Sequence, residues 1–351
     1  MESVKSQTYE VHIGELAQAA LNQHIAKKNY SKIFLLVDTN TKKHCLPAFK
    51  KMFSAPIDSI FEIDPGEENK HIHTCLQVWE HLSNFDGDRK SLLINLGGGV
   101  LTDLGGFVAS TFKRGIDFIN IPTTLLSMVD ASIGGKNGVD LGALKNQIGV
   151  INQPQMVLVF PDFLQTLDPR QVTSGYAEML KHGLIRDAAY WADLKGNNNF
   201  TDASSIQKSI SIKNDVVLID PTEKGLRKIL NFGHTLGHAI ESYCLENPNK
   251  KTLLHGEAIA IGMILEGYLS HELKGLPKLA LDDIKQTFLH YFEKVDFNRD
   301  DIDSILKLLK YDKKNSHGDI NFVLLQSIGD AVTDIKVPEE LFRKAFEYYA
   351  E

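Results

Sequence analysis

The run Leu92-Leu93-Ile94-Asn95-Leu96, closed at once by Gly97-Gly98-Gly99-Val100, limits the fold more than any other stretch of the chain. A strand that is apolar on both faces, instead of alternating, belongs inside a parallel sheet covered by helices on both sides. Ile33-Phe34-Leu35-Leu36-Val37 repeats the pattern, and Asp117–Ile121 and Met156–Phe160 extend it. The first half therefore reads as an α/β sheet domain. Glycines between a strand and a helix let backbone N–H groups approach a pyrophosphate at the helix N-terminus. The spacing is not G-x-G-x-x-G, because Thr102 stands where the third glycine should be. The order differs as well. Asp38, at the carboxyl end of the earlier strand, is placed to accept from a ribose or to cap a turn, and it precedes the glycines. The two readings are a dinucleotide site of different wiring and a tight turn, and the cofactor reading is carried forward. Gly105-Gly106 in the next helix predicts close packing of helix on sheet.

Further polar loops follow the same logic. Pro65-Gly66-Glu67 with Lys70 leads into a helix through Cys75–Leu82. Ile133-Gly134-Gly135-Lys136 and Leu144-Lys145-Asn146-Gln147-Ile148-Gly149 place two lysines and an asparagine among glycines, in loops at strand ends. Such loops suit a phosphorylated ligand, with lysine as point charge and backbone amides as cradle. Neither is a Walker A loop. Arg114, just before the third strand, either joins them or is a surface charge.

After Phe160 the texture turns helical, which predicts domains at 1–162 and 163–351. Asp168-Pro169 starts a helix, N-cap then Pro at N1. Glu178 and Lys181 share one face of it, the pattern of a solvated ion pair. Read as one helix, Asn231–Glu241 carries His234, His238 and Glu241 on one stripe. Two histidines at i and i+4 can meet one divalent ion. His255-Gly256-Glu257 then opens a helix, Ala258–Leu269, apolar nearly all round, and offers a third donor. Lys213, Arg227 and Asn231 are expected to face the cleft that the histidines face.

Composition removes other classes. The net charge of −7 over 351 residues argues against a nucleic-acid or anionic-membrane surface. Cys45, Cys75 and Cys244 are far apart and cannot pair completely, which fits a reducing cytoplasm. The longest apolar run, Ala258–Leu265, is far short of the ~20 residues of a membrane span.

Taken in order, these blocks resemble the 3-dehydroquinate synthase family of sugar phosphate cyclases. The resemblance runs from Asp38 to about Ala331 and is carried by Gly97–Val100 with Asp103, Pro122–Leu126, Val129–Lys136, Lys145-Asn146, Gly175–Lys181, Arg227–His238 and His255–Glu257. It implies an α/β dinucleotide-binding domain and an all-helical metal-binding domain with the active site in the cleft between them. It implies Zn2+ (or Co2+) on Glu178, His234 and His255, so that His238 faces the substrate and Glu241 drops to a supporting or solvated role. NAD+ contacts would fall on Asp38, Asn40, Glu67, Lys70, Gly98, Gly99, Val100, Asp103, Thr123, Thr124, Lys136, Lys145, Phe163, Thr166 and Leu167. Substrate contacts would fall on Asp130, Lys136, Asn146, Lys213, Arg227, Asn231 and His238, with a lysine of Asp312-Lys313-Lys314, Lys314 favoured. Arg114 would reach the phosphate bound by the neighbouring subunit of a homodimer. Gln171 departs from the family's usual Glu and touches only a minor cofactor-side contact.

The implied reaction converts 3-deoxy-D-arabino-heptulosonate 7-phosphate to 3-dehydroquinate and phosphate. Its stages are transient NAD-dependent oxidation, phosphate β-elimination, re-reduction and intramolecular aldol closure, a step of aromatic amino-acid biosynthesis. Other cyclases, making an inosose or a valiolone, are the nearest alternative. Lys213, Arg227, Asn231 and the Asp-Lys-Lys segment favour a substrate with a carboxylate. A polyol dehydrogenase of the glycerol dehydrogenase type would have little use for Lys136 and Asn146. A non-catalytic protein would have no use for this set of acids, bases and anion binders.

Overall fold

The computed structural model describes residues 2–142, 144–196, 199–309 and 320–351. It divides into two compact units, Met1–Val172 with Thr201–Leu218, and Thr173–Phe200 with Ile219–Glu351. Lys313 and Lys314 lie outside the described residues.

The first unit is built on β1 (Val4–Lys5), β2 (Glu10–Ile13), β3 (Ile33–Asp38), β4 (Ser59–Ile63), β5 (Leu92–Gly97), β6 (Asp117–Pro122) and β9 (Val157–Val159), in the order β1-β2-β9-β6-β5-β3-β4. Only β1 runs antiparallel to its neighbour. Helices α1 (Glu15–Lys28), α2 (Thr39–His44), α3 (Leu46–Met52), α4 (Ile72–Asn84) and α5 (Gly99–Thr111) connect the strands. The apolar runs read from the sequence are the central strands β3, β5, β6 and β9, and their residues are buried on both faces as that pattern requires. The short outer strands β1, β2 and β4 carry no such run.

β5 lies between β6 and β3, and β4 lies beyond β3. The chain thus steps from β3 to one side, then returns to the other side of β3 with β5. This reversal opens a crevice at the carboxyl ends of β3 and β5, where ligands bind in open α/β sheets. α5 packs tightly on the sheet, since a Cβ on Gly105 would stand 2.0 Å from Asn95 Oδ1. Asn95 Nδ2 in turn donates to Asn120 Oδ1 at 2.8 Å, joining two central strands in the interior.

A separate antiparallel hairpin, β7 (Lys136–Leu141) and β8 (Leu144–Ile151), replaces the loops expected around Lys136 and Lys145. Gly138 and Gly149 face each other across it. A Cβ on Gly138 would meet the Ile148 carbonyl at 2.6 Å, so only glycine permits this approach.

The second unit contains α6 (Pro169–Arg186) from Thr173 onward, α7 (Ala188–Lys195), α9 (His234–Glu246), α10 (His255–Lys274), α11 (Lys278–Tyr291), α12 (Arg299–Leu308) and α13 (Glu339–Ala350). One hairpin, β10 (Asn321–Ser327) with β11 (Asp330–Lys336), is added to this helical unit. α8 (Ala203–Ile219) packs with the first unit, although the sequence division at 162/163 puts it with the second. Three contacts hold it there. Asn214 Nδ2 donates to the Lys5 carbonyl at 2.8 Å, Gln207 Nε2 to that of Glu2, and Lys213 to Asp130.

Candidate active site

In the first unit, Asp38 closes β3 and Gly97-Gly98 closes β5, side by side at the crevice. The acid precedes the glycines in sequence because β3 precedes β5, and the parallel pairing makes them neighbours. Asp38 is also the N-cap of α2: its Oδ1 accepts from the Thr41 N–H at 2.8 Å. Capping and ribose binding are therefore not exclusive, since a carboxylate has two oxygens and several lone pairs. Gly98 is the N-cap of α5, so Gly99 and Val100 lie in its first turn, where helix N–H groups point outward. Thr123, beyond β6, donates its N–H to the Gly97 carbonyl at 3.0 Å and aligns the next strand end. Phe163, Thr166 and Leu167 follow β9 in and after a short 3-10 turn, Pro161–Thr166. A cavity of about 230 Å³ lined by Thr39, Glu62, Asp64 and Asn69 lies beyond the ends of β3 and β4.

Lys70 is buried between carboxylates, 3.0 Å from Asp103 Oδ2 and 3.3 Å from Glu67 Oε1. Burial opposes its charge, but Asp103, Glu67 and Asp140 outweigh burial and raise its pKa. At Asp103 the balance is reversed. Burial lifts its carboxyl to about 6 against the pull of Lys70. The asymmetry is physical, because one ammonium serves three carboxylates. Lys145 Nζ lies 4.0 Å from Glu67, so Glu67, Lys70, Asp103 and Lys145 form one cluster.

Asn146 holds a left-handed backbone, φ 52°, and its N–H donates to Asp140 Oδ1 at 2.6 Å. Asp140 is not legible as a site residue in the sequence. Lys136 stands exposed at the open end of the same hairpin. Lys213 Nζ donates to Asp130 Oδ1 at 2.7 Å and to the Asp130 carbonyl at 2.5 Å. Lys213 thus joins Asp130 in the first unit, whereas Arg227, Asn231 and the histidines belong to the second. Arg114 lies at the far end of α5 from the glycines, roughly 20 Å away at helical rise. It is exposed, and its φ of 71° follows a φ of 52° at Lys113.

In the second unit the stretch 231–241 is not one helix. Leu226–Asn231 form a 3-10 turn, Gly233 adopts φ 79°, and α9 starts at His234. Asn231 is therefore off the histidine stripe, its Nδ2 donating to Glu223 Oε1 at 2.8 Å. Arg227 is buried, with Nη1 donating to the Pro221 carbonyl at 2.7 Å. His234 and His255 each occupy the first position of a helix, α9 and α10.

Glu178 on α6 is fully buried, with Oε1 3.6 Å from His234 Nε2 and 3.7 Å from His255 Nε2. Donors about 2.0–2.2 Å from one tetrahedral ion lie roughly 3.4 Å apart, so a small contraction makes this a three-donor site. Each ring is oriented through its other nitrogen. Nδ1 of His234 lies 3.0 Å from the Phe232 carbonyl, and Nδ1 of His255 lies 3.4 Å from Glu241 Oε2. That arrangement aims both Nε2 lone pairs at the same point. His238 also converges, since a nitrogen of each of His234, His238 and His255 lies within 4.8 Å of the others. Burial works against charge on His255, yet Glu241 and Glu178 prevail and raise it to about 9. A pocket that favours an imidazolium to this degree favours a cation generally, and the donor set of one carboxylate and two imidazoles suits Zn2+.

The Glu178–Lys181 pair is not the solvated one expected from its spacing. Both residues are buried, with Lys181 Nζ against Glu178 Oε2. The face they share on α6 is a buried one. Lys181 is a site residue that spacing conceals. Glu241 is buried as well, which settles it as the partner of His255 instead of a solvated residue.

The chain overlays on 2-epi-5-epi-valiolone synthase from Streptomyces hygroscopicus with NAD+ and Zn2+ bound, at TM-score 0.82 and 26% identity over 100% of this chain and 99% of that one. It shares its fold with 2-deoxy-scyllo-inosose synthase, at TM-score 0.83 and 24% identity over 99% and 100%. An open α/β sheet unit with a helical unit is therefore the fold of a sugar phosphate cyclase. Within that class, residues 60–174 match the 3-dehydroquinate synthase N-terminal family and 175–315 the 3-dehydroquinate synthase C-terminal family. A 3-dehydroquinate synthase of Parabacteroides distasonis is 41% identical over 95% of this chain and 96% of its own length. The chain belongs to the 3-dehydroquinate synthase family.

Proposed function

We propose that the chain converts 3-deoxy-D-arabino-heptulosonate 7-phosphate to 3-dehydroquinate and phosphate, using NAD+ and one divalent metal ion as resident catalysts. The observation that carries this reading is the near-equal spacing of Glu178 Oε1 from His234 Nε2 and His255 Nε2. Bound at these donors, Zn2+ or Co2+ supplies Lewis acidity to the hydroxyl being oxidised, while NAD+ at the β3/β5 crevice supplies a reversible hydride acceptor.

The chain's own residues do the rest. Asp38, Asn40, Glu67, Lys70, Asp103 and Lys145 surround the nucleotide, and the Gly98–Val100 turn presents N–H groups to its pyrophosphate. Phe163, Thr166 and Leu167 complete that contact with Thr123 and Thr124. Arg227 takes the substrate carboxylate as a planar fork, which an ammonium cannot imitate. Asn231, Lys213 and Asp130 orient hydroxyls. His238, one turn beyond His234, moves protons near neutral pH. Lys136 and Asn146, both on the β7–β8 hairpin, hold the departing phosphate. Lys313 and Lys314 lie outside the described residues, and Lys314 stays a phosphate candidate on resemblance alone.

On the family resemblance, Arg114 reaches the phosphate bound by the neighbouring subunit of a homodimer. Among the described residues no helix is long and apolar enough to cross a membrane, and the cysteines are buried thiols. We place the enzyme in the cytoplasm, without a nucleic-acid partner. The deciding assay is phosphate release from the heptulosonate phosphate. Release without net NADH, abolished by a chelator and restored by Zn2+ or Co2+, is expected. Steady NADH accumulation would make the protein a dehydrogenase.

A further inference from the structure

Both candidate ligand histidines open a helix, and neither helix is closed by a side chain at its own N-cap in the ordinary way. For α10, Glu257 reaches back to the Leu254 N–H at 2.7 Å, and Ser174 Oγ accepts from the Gly256 N–H at 3.0 Å. For α9 the N-cap is Gly233, which has no side chain to offer. Its place is taken from α10. Glu266, fully buried, accepts the Gly233 N–H at 2.6 Å through Oε2 and the Leu236 N–H at 3.1 Å through Oε1. Leu236 is the third residue of α9, the position an N-cap aspartate or serine normally serves.

The turn leaves no room for an alternative. A Cβ on Gly233 would lie 2.3 Å from Met263 Cγ, and a Cβ on Gly262 would lie 2.0 Å from the Gly233 carbonyl. The backbone of the turn thus rests directly on α10, one helical turn before Glu266. His234 follows Gly233, and its Nδ1 is tied to the Phe232 carbonyl within the same frame. A carboxylate amid the apolar stretch Ala258–Leu269 would be expensive if it did nothing. Here both of its oxygens accept backbone N–H groups at the positive end of α9.

We infer that Glu266 is a positioning residue for the metal centre: by capping α9 from α10 it fixes the Phe232–His234 backbone, and with it the direction of His234 Nε2. The inference rests on the reading of His234 as a ligand. Zinc affinity of the full chain, measured by chelator competition, tests it in Glu266→Gln, Glu266→Ala and His234→Ala, with apo melting temperatures recorded in parallel. Gln is isosteric and keeps one acceptor, so Glu266→Gln decides the matter if the alanine variant does not fold. The dissociation constant is expected to rise about tenfold in Glu266→Gln, and towards a hundredfold in Glu266→Ala, the range found for partners that orient ligands. A cap of purely structural effect would lower the apo melting temperature and leave the zinc affinity of the folded protein within about twofold of the parent. That result, with His234→Ala having lost zinc, overturns the inference. Parental zinc affinity in His234→Ala would instead remove the ligand reading itself.

Discussion

Glu241 Oε2 lies 3.4 Å from His255 Nδ1, so the imidazole whose Nε2 faces Glu178 is gripped from behind by a second carboxylate one helix away. A carboxylate behind a ligating imidazole fixes its tautomer and raises its basicity. Glu241→Ala is expected to weaken zinc binding by about ten- to a hundredfold while leaving the helical content intact. Chelator competition measures the first and far-UV circular dichroism the second. Parental zinc affinity would show that Glu241 only fills space.

Asp103 provides a pH signature of the first unit. Its carboxyl is raised to about 6 when folded, from an unfolded value of 3.8. The folded state therefore binds this proton more tightly. The resulting stabilisation is complete below about pH 4, is lost as pH rises through 6, and is on the order of 1–3 kcal/mol. Urea unfolding of parent and Asp103→Asn between pH 4 and 7 checks it. The stability difference should fall across that window and flatten above it, whatever constant offset the lost Lys70 contact adds.

Arg227→Ala should lower kcat/KM by roughly a hundredfold, the worth of one or two charge-assisted hydrogen bonds to a carboxylate. Zinc content should be unchanged. Stoichiometric zinc measured by elemental analysis, alongside the kinetics, separates the substrate role from a structural one. Parallel loss of zinc would make Arg227 a framework residue.

Arg114→Ala and His238→Ala should each be nearly inactive alone, yet partly active when co-expressed. In a mixed dimer one site has His238 from one chain and Arg114 from the other. Random pairing in a twofold dimer returns about a quarter of parental activity. Absence of complementation in confirmed mixed dimers would mean that Arg114 does not act across subunits.

Much of this architecture is legible in the sequence because central strands and ligand-bearing helices leave strong patterns. β3 and β5 are continuous apolar runs, and His255 opens a buried helix just where apolar residues begin. The edge strands are not legible, since β1 has two residues and β4 is only partly buried along most of its length. The β7–β8 hairpin reads as loops because its close approach depends on glycines, which mark turns in most contexts. Asn231 reads as part of the histidine helix because no periodicity reveals the left-handed Gly233 that breaks it. Lys181 and Glu178 read as solvated because i,i+3 spacing identifies a shared face but not where that face points. Glu266 does leave a signal, a carboxylate inside an apolar stretch, which composition alone treats as noise.

The pairing of β3 with β5 also bears on when the nucleotide crevice comes into being. Asp38 emerges during synthesis well before Gly97, and the acid has no glycine turn beside it until the parallel register, Leu36 opposite Asn95, has closed. Parallel pairing across α2, α3, β4 and α4 is a late, non-local event in folding. Dinucleotide affinity should therefore be absent from nascent or truncated chains ending before α5, and its onset during refolding reports completion of the central sheet.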